Sequence, residues 1–379
     1  MNYEVGVIGL GVIGSMTLWQ LARQGVSVVG FEQYGIGHDR SAAGGESRLF
    51  RTAYKEGPQY VPMLKESKKL WIELEKETNK QLLLLNGGLT IGHPDAEFMQ
   101  NVLKSVNDFD IDHEILDHKT ATEKYPQHIL LEDEIIIFDK EAGVLKPEHA
   151  VLAAAKRAEA LGSSVHSYTK VLDIKEVSDG VEIRTENGTF KVGQLIVTAG
   201  PWLTDLLPQF KREVKAKKII LSWFAAEDIG KFEPDCFPVF TRRNNTHKFF
   251  GTPSIDHSMV KVGTSLPVCE VPDPNLLNRT VEIEELKDTL EIVRTYLQGL
   301  HPDPIRVAAY MDAYSSDDHS VIGKLPGSEF ITVAGGFSGH GFKMGPVVGK
   351  IAGEIALNQE ISFPVHSFAP ARLLQKVEK

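Results

Sequence analysis

The stretch Val5-Gly6-Val7-Ile8-Gly9-Leu10-Gly11-Val12-Ile13-Gly14 decides the fold. Its first four residues make the short apolar run expected of a buried parallel strand. Three glycines follow in GxGxxG spacing, then a helical pattern through Leu21 and Ala22 to Gly25, which fits a helix C′ position. Residues 26–32 read as a second apolar strand, completing a strand–helix–strand unit. Each glycine has a physical task. Gly9 permits the tight turn, Gly11 lets backbone approach a pyrophosphate, and Gly14 lets the helix pack closely on the strand. The helix N-terminus offers unpaired N–H groups and partial positive charge to phosphates. Glu32 ends the second strand, at the separation where an acid accepts hydrogen bonds from ribose hydroxyls. Together these features predict a dinucleotide site. FAD and NAD both use such a unit, so the motif alone does not choose between them.

The pattern continues along the chain. Residues 61–78 carry Met63, Ser67, Leu70, Trp71 and Leu74 at helical spacing, and residues 82–91 turn strand-like and glycine-punctuated. Pro147 fits a first helical position ahead of an alanine-rich helix over 148–161, closed by Gly162. Val181-Glu182-Ile183-Arg184-Thr185 alternates, and Asn187-Gly188 supplies a hairpin turn. Residues 195–200 and 330–336 are apolar strands running into glycine, and helices are expected near 281–297 and 345–357. Strand–helix units thus recur at the start, middle and end, separated by strand-rich insertions. The expected fold is α/β: a Rossmann-type nucleotide domain built from residues 1–82, 145–205 and 325–379. An antiparallel-sheet substrate domain, α+β in character, would be built from 83–144 and 206–324.

Composition excludes several classes. A formal charge of −10 with no dense Lys/Arg run argues against nucleic acid as a partner. Two cysteines, Cys236 and Cys269, make neither a disulfide framework nor a zinc cluster, so no metal site is expected and a reducing, cytoplasmic setting is. No run of ~18 apolar residues spans a bilayer, and the apolar N-terminus lacks the basic flank of a signal peptide.

Four further segments carry a resemblance: Glu46-Ser47-Arg48-Leu49-Phe50-Arg51-Thr52-Ala53-Tyr54, Val197-Thr198-Ala199-Gly200-Pro201-Trp202, Val260-Lys261-Val262-Gly263, and Ala334-Gly335-Gly336-Phe337-Ser338-Gly339-His340-Gly341-Phe342-Lys343. In this order and spacing the chain resembles the monomeric sarcosine oxidase and N-methyltryptophan oxidase family of flavin amine oxidases, over nearly its whole length. The resemblance implies FAD, contacted by Gly9, Gly11, Gly14, Glu32, Gln33, His38, Ser41, Arg48, Val171, Gly200, Trp202, Phe337, Gly339, Gly341, Phe342 and Lys343. It implies that Arg51 and Lys343 hold the substrate carboxylate, that Arg48 sits against the flavin, and that Phe250 lies beside the substrate. Lys261 matches the family lysine that promotes reaction of the reduced cofactor with oxygen. Arginine suits a carboxylate because its planar fork donates two parallel hydrogen bonds. In a flat strand Arg48 and Arg51 would face opposite sides, so sharing one cleft requires a bend between them.

The departures are informative. The family's covalent attachment cysteine is replaced by Tyr310, which forms no thioether, so non-covalent FAD is expected. A family histidine is Gly44 here, Ser265 replaces a substrate-side histidine, and Phe250 replaces a tyrosine. His319 and His340 are candidate acid/base groups or structural histidines. The implied reaction oxidises the C–N bond of an amino acid, an N-methyl or other secondary amine, with O2 reduced to hydrogen peroxide. A dehydrogenase using another acceptor, an oxidase for glycine, primary or sugar-modified amines, a redox-sensing module and an NAD enzyme are the alternatives. The partners implied are a small amino-acid substrate and O2, and the resemblance is compatible with a monomer.

Overall fold

The computed structural model describes residues 3–374. Strand Tyr3–Ile8 feeds helix Val12–Arg23, which returns to strand Val28–Phe31, and the two strands pair in parallel from Val5↔Val28 to Ile8↔Phe31. The C′ residue Gly25 closes the helix at φ 74° by donating its N–H to Ala22 O. The parallel sheet grows outward from this unit. Strand Ser164–His166 pairs beyond Val28–Phe31, while Gly188–Val197 and then Ile331–Gly335 add on the other side, all parallel. The meander Val171–Val177, Gly180–Thr185 joins antiparallel to the first half of Gly188–Val197, turning through Gly188 as the Asn-Gly pair predicts.

Strand Val321–Lys324 pairs antiparallel with Ile331–Gly335. The boundary expected at 324/325 therefore cuts a hairpin. Its hydrogen bonds assign residues 321–324 to the first sheet, a pairing that no local pattern announces.

The second sheet holds nine strands in the order Cys269–Glu270, Val214–Phe224, Val260–Thr264, Lys248–Thr252, Val239–Arg243, Gly88–Gly92, Ile135–Asp139, His113–Leu116, with Arg306–Ser315 also on Val214–Phe224. Its pairs are antiparallel except Val239–Arg243 with Gly88–Gly92, which run parallel. A small third sheet joins Arg48–Phe50 to Gly143–Leu145 and Leu83–Leu84.

A glycine-striped helix packed on the first helix locks the nucleotide unit. Along Gly345–Ala356, Gly345, Gly349 and Gly353 face Val12, Met16 and Leu21 of the first helix; a Cβ on Gly345 would stand 2.6 Å from Val12 and one on Gly349 2.7 Å from Met16 backbone. Only glycine permits that approach. It fixes the chain after Lys343 against the first glycine turn, which sequence separation alone would not do. Among the described residues, no helix is long and apolar enough to cross a membrane.

Candidate active site

One cavity of about 750 Å³ brings the two glycine-rich stretches together. Gly9 and Gly11 line it from the first, and Gly335, Gly336, Phe337, Ser338, Gly339, His340, Gly341, Phe342 and Lys343 from the second. Gly9 takes φ 87°, and a Cβ there would press on Ala199 and Thr198. Gly14 does not line the cavity; a Cβ would collide with the Gly9 carbonyl oxygen, so its task is packing. Gly11 differs from both. A Cβ there would meet no protein atom, and the helix it begins has no side-chain cap and no acid in its first turn. The space and the free N–H groups at Gly11 suit a pyrophosphate. Glu32 accepts from Leu10 N at 2.9 Å and Tyr34 N at 3.0 Å, and His38 Nε2 lies 3.4 Å from it. Each carboxylate oxygen keeps a lone pair for a ribose hydroxyl. Gln33, His38, Ser41, Val171, Gly200 and Trp202 line the same channel. The residues present therefore fit FAD: Glu32 would hold the ribose, and the Gly336–Lys343 backbone would receive the other end of the cofactor.

The bend required between Arg48 and Arg51 is supplied from a distance. Strand Arg48–Phe50 stops, and the amides of Thr52 and Ala53 both donate to Asp139 Oδ2 at 2.9 Å. Arg48 then lines the cavity while its guanidinium donates to the carbonyls of Ala42, Gly44 and Ser47. Arg51 also lines the cavity, 7% exposed, with Nε and Nη1 buried and unpartnered. Glu56 acts on this guanidinium through space, but two buried charged N–H donors stay unbonded, which costs about 1–3 kcal/mol. An anion in the cavity would satisfy them.

Lys343 stands beside it, 5% exposed, its Nζ 5.2 Å from the centre of the Tyr54 ring, while Arg51 Cζ is 5.9 Å from that ring. Ser67 Oγ and Trp71 Nε1 donate to the Lys343 carbonyl at 2.6 and 3.0 Å, so helix Val61–Thr78 fixes its backbone. Nζ donates to His340 O at 3.1 Å and to Tyr54 Oη at 3.4 Å. Burial, then the charge of Arg51, brings the Lys343 pKa down to about 7. His340 Nε2 lies 3.0 Å from the Asp318 carbonyl and must carry a proton, so Nδ1 accepts from Tyr54 Oη at 3.1 Å. That leaves the Tyr54 oxygen as an acceptor facing Lys343. Burial takes the His340 pKa to about 4, and it stays neutral.

Glu56, Tyr54 and Asp312 had no signal in the sequence beyond proximity to Arg51 or to the cavity strands. Burial acts to raise the Glu56 carboxyl, but the charges around it, Lys55 and Arg51 foremost, bring it down to about 2. Asp312 accepts from Ala313 N and Gly339 N, pinning the glycine loop.

Lys261 is placed differently from the other candidates. It does not line the cavity. It is 1% exposed, and Nζ donates to the carbonyls of Gly45, at 3.0 Å, and Ser47. Burial, reinforced by Arg48, pushes its pKa well below the usual lysine range. The loop it holds is anchored from two other sides: Glu148 accepts from Gly45 N and Glu46 N, and Trp223 donates to Glu46, which sits at φ 71°.

Tyr310, Phe250 and Ser265 line the cavity; Cys236 and Cys269 are exposed and lie outside it. Tyr60 Oη and His319 Nδ1 are 2.6 Å apart, making His319 part of a wall. Among the described residues no cluster of His, Cys, Asp or Glu could hold a metal ion.

This fold, with a dinucleotide channel ending at a buried cation pair, defines a flavin-dependent oxidoreductase. Residues 4–355 match the FAD dependent oxidoreductase family, and the chain belongs to it, within the branch of the monomeric sarcosine and N-methyltryptophan oxidases. It is 32% identical to a monomeric sarcosine oxidase of Streptomyces avermitilis, over 98% of both chains. It is 27% identical to an N-methyl-L-tryptophan oxidase of Salmonella enteritidis, over 99% of this chain and 100% of the relative. Among solved structures, NikD, an amino acid oxidase essential for nikkomycin biosynthesis, superposes with a TM-score of 0.85 at 20% identity over 97% of each chain. L-proline dehydrogenase from P. horikoshii gives 0.84 at 20% identity, over 99% of this chain and 98% of that one.

Proposed function

We propose that the protein oxidises the C–N bond of an amino acid bearing a secondary amine, such as an N-methyl group, to the imine, with O2 reduced to hydrogen peroxide. The observation that carries this reading is the buried, unpartnered Arg51 guanidinium beside Lys343 at the glycine-loop end of the cavity. Relatives named for sarcosine and N-methyltryptophan support the substrate class.

FAD, when bound, accepts the hydride equivalent and passes the electrons to O2. The protein's own residues bind and orient. Arg51 donates from Nε and Nη1 to the substrate carboxylate, and Lys343 donates from Nζ. Tyr54, oriented by neutral His340, holds Lys343 in place through its oxygen. Holding the substrate by its carboxylate converts chance encounter into a fixed orientation, a major source of rate. Lys261 is assigned to the oxygen half-reaction: held behind the Gly45–Ser47 loop, its ammonium form is favoured over the neutral amine as negative charge develops on oxygen. The cofactor is held without a covalent bond, since Tyr310 replaces the attachment cysteine.

The test is peroxide release across sarcosine, larger N-methyl amino acids, cyclic imino acids, glycine, primary and sugar-modified amino acids. Stoichiometric peroxide with a secondary-amine amino acid supports the oxidase. Turnover that needs an added electron acceptor would instead make it a dehydrogenase.

A further inference from the structure

Arg243 and Lys248 stand directly opposite each other across the hairpin of Val239–Arg243 and Lys248–Thr252. Opposed residues of an antiparallel pair project to the same face, where like charges repel. Neither has a carboxylate within 4.0 Å among the described residues. The neighbouring Arg242 points the other way, into a buried pair with Glu134, Nε to Oε1 3.0 Å. Alternation therefore sends Arg243 and Lys248 to the face that carries Thr241 and Phe250. Thr241, Arg243 and Phe250 all line the cavity.

Lys55 lies at this same end. Asn101 donates to its carbonyl at 3.0 Å, Arg243 lies 5.8 Å over the Phe98 ring, and Lys55, Phe98, Asn101 and Arg243 all line the cavity. The acids here are Glu56, 3.6 Å from the Lys55 ammonium, the exposed Glu97, and Asp312, which pins the glycine loop and acts on Lys343. Against them stand Arg51, Lys55, Arg243 and Lys343 on the cavity wall, with Lys248 behind Arg243. One carboxylate on Arg51 and Lys343 leaves positive charge unanswered at the mouth. The bulk and polarity a tyrosine and a histidine would bring are absent, with Phe250 and Ser265 in their places, and Ser265 N donates to Lys248 O at 2.7 Å.

We propose that this face receives the substrate's side chain, and that the side chain ends in an acid: the preferred substrate is a dicarboxylic amino acid with a secondary amine, of the N-methylglutamate or N-methylaspartate type. Arg243, with Lys55 beside it, binds the second carboxylate, and Lys248 adds its charge from behind Arg243. The inference rests on the assignment of the first carboxylate to Arg51 and Lys343.

The experiment compares glutarate with glutaramate, which have the same shape but differ by one charge and carry no amine to oxidise. Binding to the FAD-loaded protein is read from perturbation of the flavin spectrum. Glutarate is expected to bind about tenfold more tightly, as one charge-assisted contact provides, with the advantage shrinking as salt is added. Arg243→Gln with Lys248→Gln should abolish the advantage, and each single variant should reduce it. In turnover, the ratio of kcat/KM for N-methyl-L-glutamate over N-methyl-L-glutamine should fall about tenfold in the double variant. Equal binding of the two ligands, or an advantage that survives both substitutions, overturns this inference alone. Failure of both ligands to bind contradicts the Arg51–Lys343 assignment and this inference with it.

Discussion

The ring of Tyr310 fills the space that a side chain at Gly44 would need. A Cβ on Gly44 would collide with Tyr310 Cε1 and stand 3.1 Å from Cδ1. Two of the four positions where the chain departs from its family, a lost cysteine and a lost histidine, are thus one packing event. Tyr310 is 6% exposed, and burial raises its phenol pKa, so it stays neutral against the cavity.

That relationship makes two predictions about cofactor retention and stability. Acid precipitation should release all FAD into the supernatant; a yellow pellet would show another attachment. Gly44→His should lower stability by ~1–3 kcal/mol through overpacking, seen as a reduced melting temperature. Tyr310→Cys in the same chain should restore part of the loss. Additive effects of the two substitutions would break the coupling.

Binding of a non-oxidisable carboxylate should depend on pH through Lys343. With the free ammonium at about 7, the anion meets a full charge below that pH. A bound carboxylate raises the pKa again, so binding takes up a proton. Affinity should therefore be flat at lower pH and fall about tenfold per pH unit above 7, a linkage slope that Lys343→Met should remove. Titrations of wild type and variant across pH check this. A flat wild-type profile through pH 8 would place the carboxylate elsewhere.

Lys261→Met should slow the oxygen half-reaction far more than anaerobic reduction by substrate, because the residue lies behind the Gly45–Ser47 loop and off the cavity wall. Stopped-flow measurement of the two half-reactions separates them. Equal slowing of both would assign Lys261 to holding the loop alone.

Much of this was legible in the chain. The GxGxxG turn, Glu32 and the run ending at Lys343 each combine backbone geometry with local residue type, and local chemistry is what a sequence displays. The bend that turns Arg51 into the cavity was not legible, because Asp139 makes it from 87 positions away. The cation pair Arg243 and Lys248 was equally hidden. Each reads singly as a surface charge, and only the hairpin register sets them on one face. Lys261 stands between Val260 and Val262, the spacing of an alternating strand with one exposed face, yet both faces of Val260–Thr264 are covered. The Tyr310–Gly44 contact joins two departures that look independent in the sequence.

The central claim is that Arg51 and Lys343 dock a carboxylate in front of FAD. Anaerobic loss of flavin absorbance on adding N-methyl amino acids, with the corresponding amines lacking a carboxylate as controls, tests it most directly. Wild type should bleach with at least one secondary-amine amino acid and not with its decarboxylated counterpart. Arg51→Gln or Lys343→Met should slow bleaching by about ten- to a hundredfold, the worth of one buried charge-assisted hydrogen bond. Amines without a carboxylate that bleach as fast, or variants that keep the wild-type rate, would contradict it.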